Sequence, residues 1–127
     1  MTPDFPHFPK RIFWDRQGQP IADFMDWALK AEDDAYRIIA CDTIGGLVVS
    51  TIWIGIDGIG ELFGGKPMIF ETLVFEGDKV VGGEKNATES EARSAHALYI
   101  EKCKDPAFVL AAHAQGHQDS HNGATPL

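Results

Sequence analysis

The sequence predicts one α+β domain, an antiparallel sheet of three or four strands in β-α-β-β-β-α order with the helices on one face. Three observations lead there. Residues 36–44 and 47–56 are rich in Ile, Val, Thr and Trp, and only Gly45-Gly46 separates them, which marks a β-hairpin. Residues 68–75 (MIFETLVF) form another run of this kind. Before and after this block, apolar residues recur three and four positions apart, the helical period.

In chain order, residues 1–10 hold three prolines and read as an extended lead-in without the apolar core of a secretion signal. Residues 11–15 (RIFWD) suit a short strand, and Gly18 a turn. Pro20 fits the first turn of a helix, where its missing N–H is not needed. Ile21, Phe24, Met25, Ala28 and Ala31 give that helix its apolar stripe. The acidic run Glu32-Asp33-Asp34 opposes the helix dipole at its C-terminus and ends it. A type I′ turn at Gly45-Gly46 then fixes the hairpin register. Ile44 faces Leu47, Ala40 faces Thr51, Ile38 faces Trp53 and Tyr36 faces Gly55; the other face pairs Ile39 with Ile52 and Cys41 with Ser50. Both faces are largely apolar, so the hairpin is expected to be covered on two sides or to use one face in a homodimer. Residues 57–67 (DGIGELFGGKP) form a glycine-rich connection, and 76–87 a polar loop. Thr88 and Glu91 make a capping box for a helix whose stripe holds Ala92, His96, Tyr99 and Cys103. A short last helix opens at Asp105-Pro106 and stops at Gly116. The domain thus spans 11–104, preceded by the 1–10 lead-in and followed by a short helix and flexible tail over 105–127.

A chain of 127 residues, 44% hydrophobic, can bury a real core. Eleven basic against nineteen acidic residues give a net charge of −8, which argues against nucleic acid and anionic membranes as partners. The longest apolar run, 47–56, is interrupted by Ser50 and Thr51 and is about half the length a spanning helix needs. Cys41 and Cys103 fit neither a CxxC motif nor a disulfide framework; they read as free buried thiols in a reducing, cytoplasmic compartment.

Gly60, four residues, then Gly65-Lys66 mimics a phosphate-binding loop. Pro67 stands where that motif needs Ser or Thr, and a strand follows instead of a helix, so the motif is rejected. The glycines still allow backbone N–H groups to approach a ligand, and eleven residues is long for a strand connection. Glu71 shares a strand face with Ile69, Leu73 and Phe75. There it is a general acid or base, or the face is half-exposed, or Glu71 is a structural partner of a basic residue such as Arg37. His96 lies in an apolar helical stripe that can pack on that strand and bring it to Glu71. His113, His117 and His121 would align on a continuous helix, but Gly116 interrupts them, and no metal site is expected.

Residues 50–57 (STIWIGID), Phe63-Gly64-Gly65-Lys66-Pro67, 69–75 (IFETLVF) and Thr88-Glu89 through Glu91-Ala92 to His96 resemble a family of small proteins encoded in tailed-phage genomes and bacterial prophages. There the runs read approximately STVWLGLDH, FG-GPP, IFETMVF and TExEAxxGH. The resemblance spans residues 11–104 and breaks at Gly58, Lys66 and Ala95, where the pattern has His, Pro and Gly. It singles out Trp53, Asp57, Phe63, Phe70, Glu71, Thr72 and His96 and implies no reaction and no cofactor. The leading expectation is a binding module, in the host cytoplasm, for a small polar ligand or a host protein at the 57–67 loop. Trp53 and Phe63 would supply apolar surface, with Asp57, Gly64 and Gly65 in the loop itself and Glu71, Thr72 and His96 as polar contacts. The alternatives are a small hydrolase using Glu71 and His96 as an acid–base pair, and a structural homodimer.

Overall fold

The computed structural model describes residues 12–57 and 65–123, of which 116–123 are described by backbone alone. Strands β1 (Ile38–Ile44) and β2 (Leu47–Trp53) pair antiparallel around Gly45-Gly46, with Ile44 opposite Leu47, Ala40 opposite Thr51 and Cys41 opposite Ser50, as the hairpin pattern requires. Only Gly45 is left-handed (φ 61°), so the turn has the II′ rather than the I′ pattern. The register departs from expectation at the far end. A bulge at Ile39 sets Ile38, not Ile39, opposite Ile52, and Trp53 has no partner on β1. Tyr36 is not in the strand: Asp33 accepts a hydrogen bond from the Ala35 N–H and caps a one-turn helix, α2 (Asp34–Arg37).

Helix α1 (Phe24–Glu32) likewise starts later than Pro20 suggests, because the Asp23 carboxylate caps it through the Met25 N–H. Pro20 instead bridges Trp14, and Phe13 bridges Ile56. Described residues 12–15 form these isolated bridges and no strand of their own.

The largest correction is β4 (Lys79–Asn86), which replaces much of the expected 76–87 loop. Gly77 (φ 60°) opens a two-residue turn with Asp78, and β4 returns against β3 (Phe70–Glu76) from Glu76–Lys79 to Phe70–Asn86. The sheet order is β1-β2-β3-β4, all antiparallel. As an edge strand with one face towards solvent, β4 needs few apolar residues, and only Val80 and Val81 interrupt its polar and glycine composition.

Helix α3 (Glu89–Cys103) carries the predicted reciprocal capping box between Thr88 and Glu91. Helix α4 (Pro106–Gly123) runs through Gly116 instead of stopping there. A mid-helix glycine costs about 1 kcal/mol, which packing earlier in α4 offsets. Ala112 is buried and Phe108 half-buried against Val81, Tyr99 and their neighbours, so the core does not end at residue 104. Backbone positions 113, 117 and 121 consequently share one helix.

All helices pack on one sheet face. On β2, residues 47, 49, 51 and 53 are buried and 48, 50 and 52 half-buried; on β3 the buried set is 70, 72 and 74. This face holds two apolar clusters. Leu47, Val49, Val74, Val81, Tyr99, Cys103 and Ala112 fill the end near the β1–β2 turn. Trp14, Trp53, Ile69, Phe70 and Ala92 fill the opposite end. Cys103 is buried as expected, whereas Cys41 is exposed because it points to the open face. Among the described residues, no helix is long and apolar enough to cross a membrane.

Candidate functional site

The chain between β2 and β3 leaves and rejoins the sheet at a tightly built point. Gly55 is left-handed (φ 66°), and a side chain there would collide with the Trp53 indole. Both the Ile54 and Gly55 N–H groups donate to the Ile69 carbonyl (2.8 and 3.2 Å), and the Trp14 N–H donates to the Gly55 carbonyl (2.9 Å). Asp57 closes the neck by accepting from the Met68 N–H (2.7 Å). Around this neck the surface is apolar. The Phe13 ring stacks on Trp27 (5.4 Å between centroids) and meets Phe24 edge-on (5.9 Å). Trp27 is anchored by donation from its indole N–H to the Ile54 carbonyl (3.0 Å). Ile12, Ile56 and Met68 are exposed beside the neck. On α1, Phe24, Met25 and Leu29 are 56%, 58% and 63% exposed, and no α1 residue is buried. Phe24 and Met25 therefore face outwards, against their expected place in a core-facing stripe.

Arg16 ties this N-terminal segment to the head of α3. Its Nε and Nη2 donate to the two Glu89 carboxylate oxygens (2.9 and 2.7 Å), and its Nη1 donates to the Tyr36 carbonyl (3.0 Å). The paired guanidinium holds the Glu89 carboxyl below the usual carboxylate range, and the hydrogen bond with Glu89 pushes the Arg16 pKa up.

Between the two apolar clusters lies a polar belt that runs from the exposed Asp42 to the buried His96, Thr51 and Thr72. His96 Nε2 lies 2.7 Å from the Asp42 carboxylate, its Nδ1 lies 2.7 Å from the Thr51 hydroxyl, and that hydroxyl lies 2.7 Å from the hydroxyl of Thr72. A carboxylate only accepts, so Nε2 carries the hydrogen towards Asp42. In the neutral imidazole, Nδ1 then accepts from Thr51, and Thr51 accepts from Thr72. The belt has the Asp–His–hydroxyl order of a nucleophile relay. Yet Thr51 and Thr72 are both 0% exposed, so no substrate can reach the hydroxyls. The belt joins α3 to β1 through Asp42 and to β2 and β3 through the two threonines.

The sequence-predicted residues separate accordingly. His96 and Thr72 come together, through Thr51. Glu71 does not join them. It lies on the open face, in a groove of about 540 Å³ with Leu73, Val80 and Lys85, while His96 lies under the other face. The parity that puts Glu71 with Leu73 and Phe75 was legible, but the core lies behind Phe70, Thr72 and Val74. The sheet thus stands between the two groups of the acid–base pair. Trp53 is a core residue whose indole N–H donates to the Trp14 carbonyl (3.0 Å), so neither Trp53 nor Thr72 is available to a ligand. Asp57 and Gly65 bound the connection, and Phe63 and Gly64 lie outside the described residues. Asp42 was missed, although the hairpin register already puts it opposite Val49, on the face of Thr51. Among the described residues, no group of three or more His, Cys, Asp or Glu side chains is arranged to hold a metal. No protein-family model, curated protein or solved structure matches the chain.

Proposed function

We propose that this domain is a protein-interaction module that docks its partner on the apolar surface of α1 and the adjoining neck at Ile54, Gly55, Ile56, Asp57 and Met68. One observation supports this most: Phe24, Met25 and Leu29 are each more than half exposed on a helix that buries none of its residues. A surface helix ordinarily turns such a stripe inwards, and an apolar patch left outside is the usual mark of an interaction site. Aromatic and methionine side chains are the ones enriched in interface cores. An exposed apolar helix flank suits a protein segment better than a small polar ligand.

Charge narrows the partner. Asp23, Asp26, Glu32 and Asp33 lie on or beside α1, and its one lysine, Lys30, sits over the Tyr36 ring (5.7 Å). The partner segment therefore combines apolar anchors with flanking Lys or Arg. In the phage-related setting implied by the sequence resemblance, it belongs to a host protein met in the cytoplasm. The test is selection from a random displayed-peptide library. The expected outcome is enrichment of basic peptides with aromatic or aliphatic anchors whose binding is lost in Phe24→Ser/Leu29→Ser and kept in Glu71→Gln. Enrichment of peptides indifferent to the α1 substitutions overturns the reading.

Self-association through the open sheet face is the second reading, favoured by its apolar centre of Val48, Ile52, Leu73 and Phe75. The β1 edge is guarded by a bulge and by the inward-pointing Asp42, so the face and not the edge would carry a dimer. A sedimentation-velocity dimer that Ile52→Glu converts to monomer supports this alternative; a wild-type monomer removes it.

A further inference from the structure

The end of the sheet opposite the neck at Gly55 and Asp57 carries a cleft of about 410 Å³, within the size range of small-molecule sites. The seven residues of β2 put it roughly 20 Å from the neck. Ile44 and Leu47, on either side of the Gly45-Gly46 turn, form one wall, and Cys103 and Val109 the other. At its polar side the Glu76 carboxylate accepts from His113 Nδ1 (3.0 Å). We infer that this cleft is a binding site for a small hydrophobic amine, whose hydrocarbon body lies between Ile44, Leu47 and Val109 and whose ammonium group is held by Glu76.

The assignment follows from what each wall can do. Leu47 and Cys103 are buried and supply no charge, and burial pushes the Cys103 thiol pKa up, so it stays a neutral, polarizable surface. A carboxylate offers about four acceptor positions, and His113 occupies one of those on Glu76. The remaining ones, reached by solvent because the side chain is 26% exposed, can take a further donor, and a cationic donor gives the stronger, charge-assisted bond. The chain's net charge of −8 also draws cations and repels carboxylates. Neither residue of the Glu76–His113 pair belongs to the surface proposed for the protein partner, so the two proposals stand or fall separately.

Chemical-shift titration of the full chain tests the site with phenethylamine, its neutral isostere 2-phenylethanol and the acid phenylacetate. The amine should shift Ile44, Leu47 and Val109 saturably, with both other probes at least about tenfold weaker. Glu76→Gln should remove the preference for the amine over the alcohol. Val109→Trp, which fills the cleft from the surface of α4, should abolish binding of all three with the fold retained by circular dichroism. Equal affinity for amine and alcohol, stronger binding of the acid, or no saturable shift at these residues would overturn the assignment.

Discussion

Replacing Thr51 with Val tests whether the polar belt is a connected structural element. Valine keeps the shape of threonine but removes the hydroxyl that lies 2.7 Å from both His96 Nδ1 and Thr72. Both partners are then left without their hydrogen bond at a site with no access to water. Each orphaned buried group costs about 1–3 kcal/mol, and the extra buried methyl returns up to about 1 kcal/mol. The expected net loss is about 1–6 kcal/mol. The triple variant Thr51→Val/Thr72→Val/His96→Leu removes every buried polar group of the belt and frees Asp42, whose side chain is 53% exposed, to be solvated. Because an apolar replacement of a whole buried network is often near neutral, the triple variant should lie within about 1 kcal/mol of wild type. Urea unfolding at pH 7, monitored by circular dichroism, reads all variants on one scale. A neutral single variant, or a triple variant as unstable as the sum of its parts, would refute the claim that these groups satisfy one another.

Further outcomes follow from the same structure. Gly55→Ala forces a side chain into the Trp53 indole at a left-handed position; strain and overpacking together cost roughly 2–5 kcal/mol, read as a drop of about 10 °C or more in Tm. Gly45→Ala should lower stability by about 1 kcal/mol, whereas Gly46→Ala should leave it unchanged or raise it slightly; thermal melts of the pair distinguish the II′ turn from I′, where both substitutions would cost stability. Arg16→Ala removes the Glu89 pair and the bond to the Tyr36 carbonyl and should cost about 1–2 kcal/mol at pH 7. The Glu89 carboxyl is held below its unfolded value, so its stabilising contribution is full above about pH 4.3 and is lost as pH falls through the folded pKa. The stability gap between wild type and Arg16→Ala should therefore close on acidification in chemical denaturation series.

Local signals read correctly where a single physical cause dominates. The two-residue glycine turn set the β1–β2 register as far as Ala40–Thr51, and the Thr88–Glu91 box placed the head of α3. They failed where a competing local interaction won. Asp23 and Asp33 cap helices through their carboxylates, moving the start of α1 past Pro20 and taking Tyr36 out of the strand. Gly77-Asp78 is itself a hairpin signal, but the polar composition of the edge strand behind it masked β4. For the site, strand parity correctly grouped Glu71 with Leu73 and Phe75, yet it cannot say which face the helices cover. That choice rests on tertiary packing, and it decided the fate of both Glu71 and Trp53. The outward turn of Phe24 and Met25 was similarly invisible, because helical spacing identifies an apolar stripe without saying what covers it.

The docking surface is tested most directly by a chemical-shift footprint of a library-selected peptide on the isotope-labelled domain. The account predicts saturable shifts at Phe24, Met25, Leu29, Ile56 and Met68, with Val48, Ile52, Leu73 and Phe75 unmoved. A footprint on those four open-face residues, with α1 silent, would contradict it.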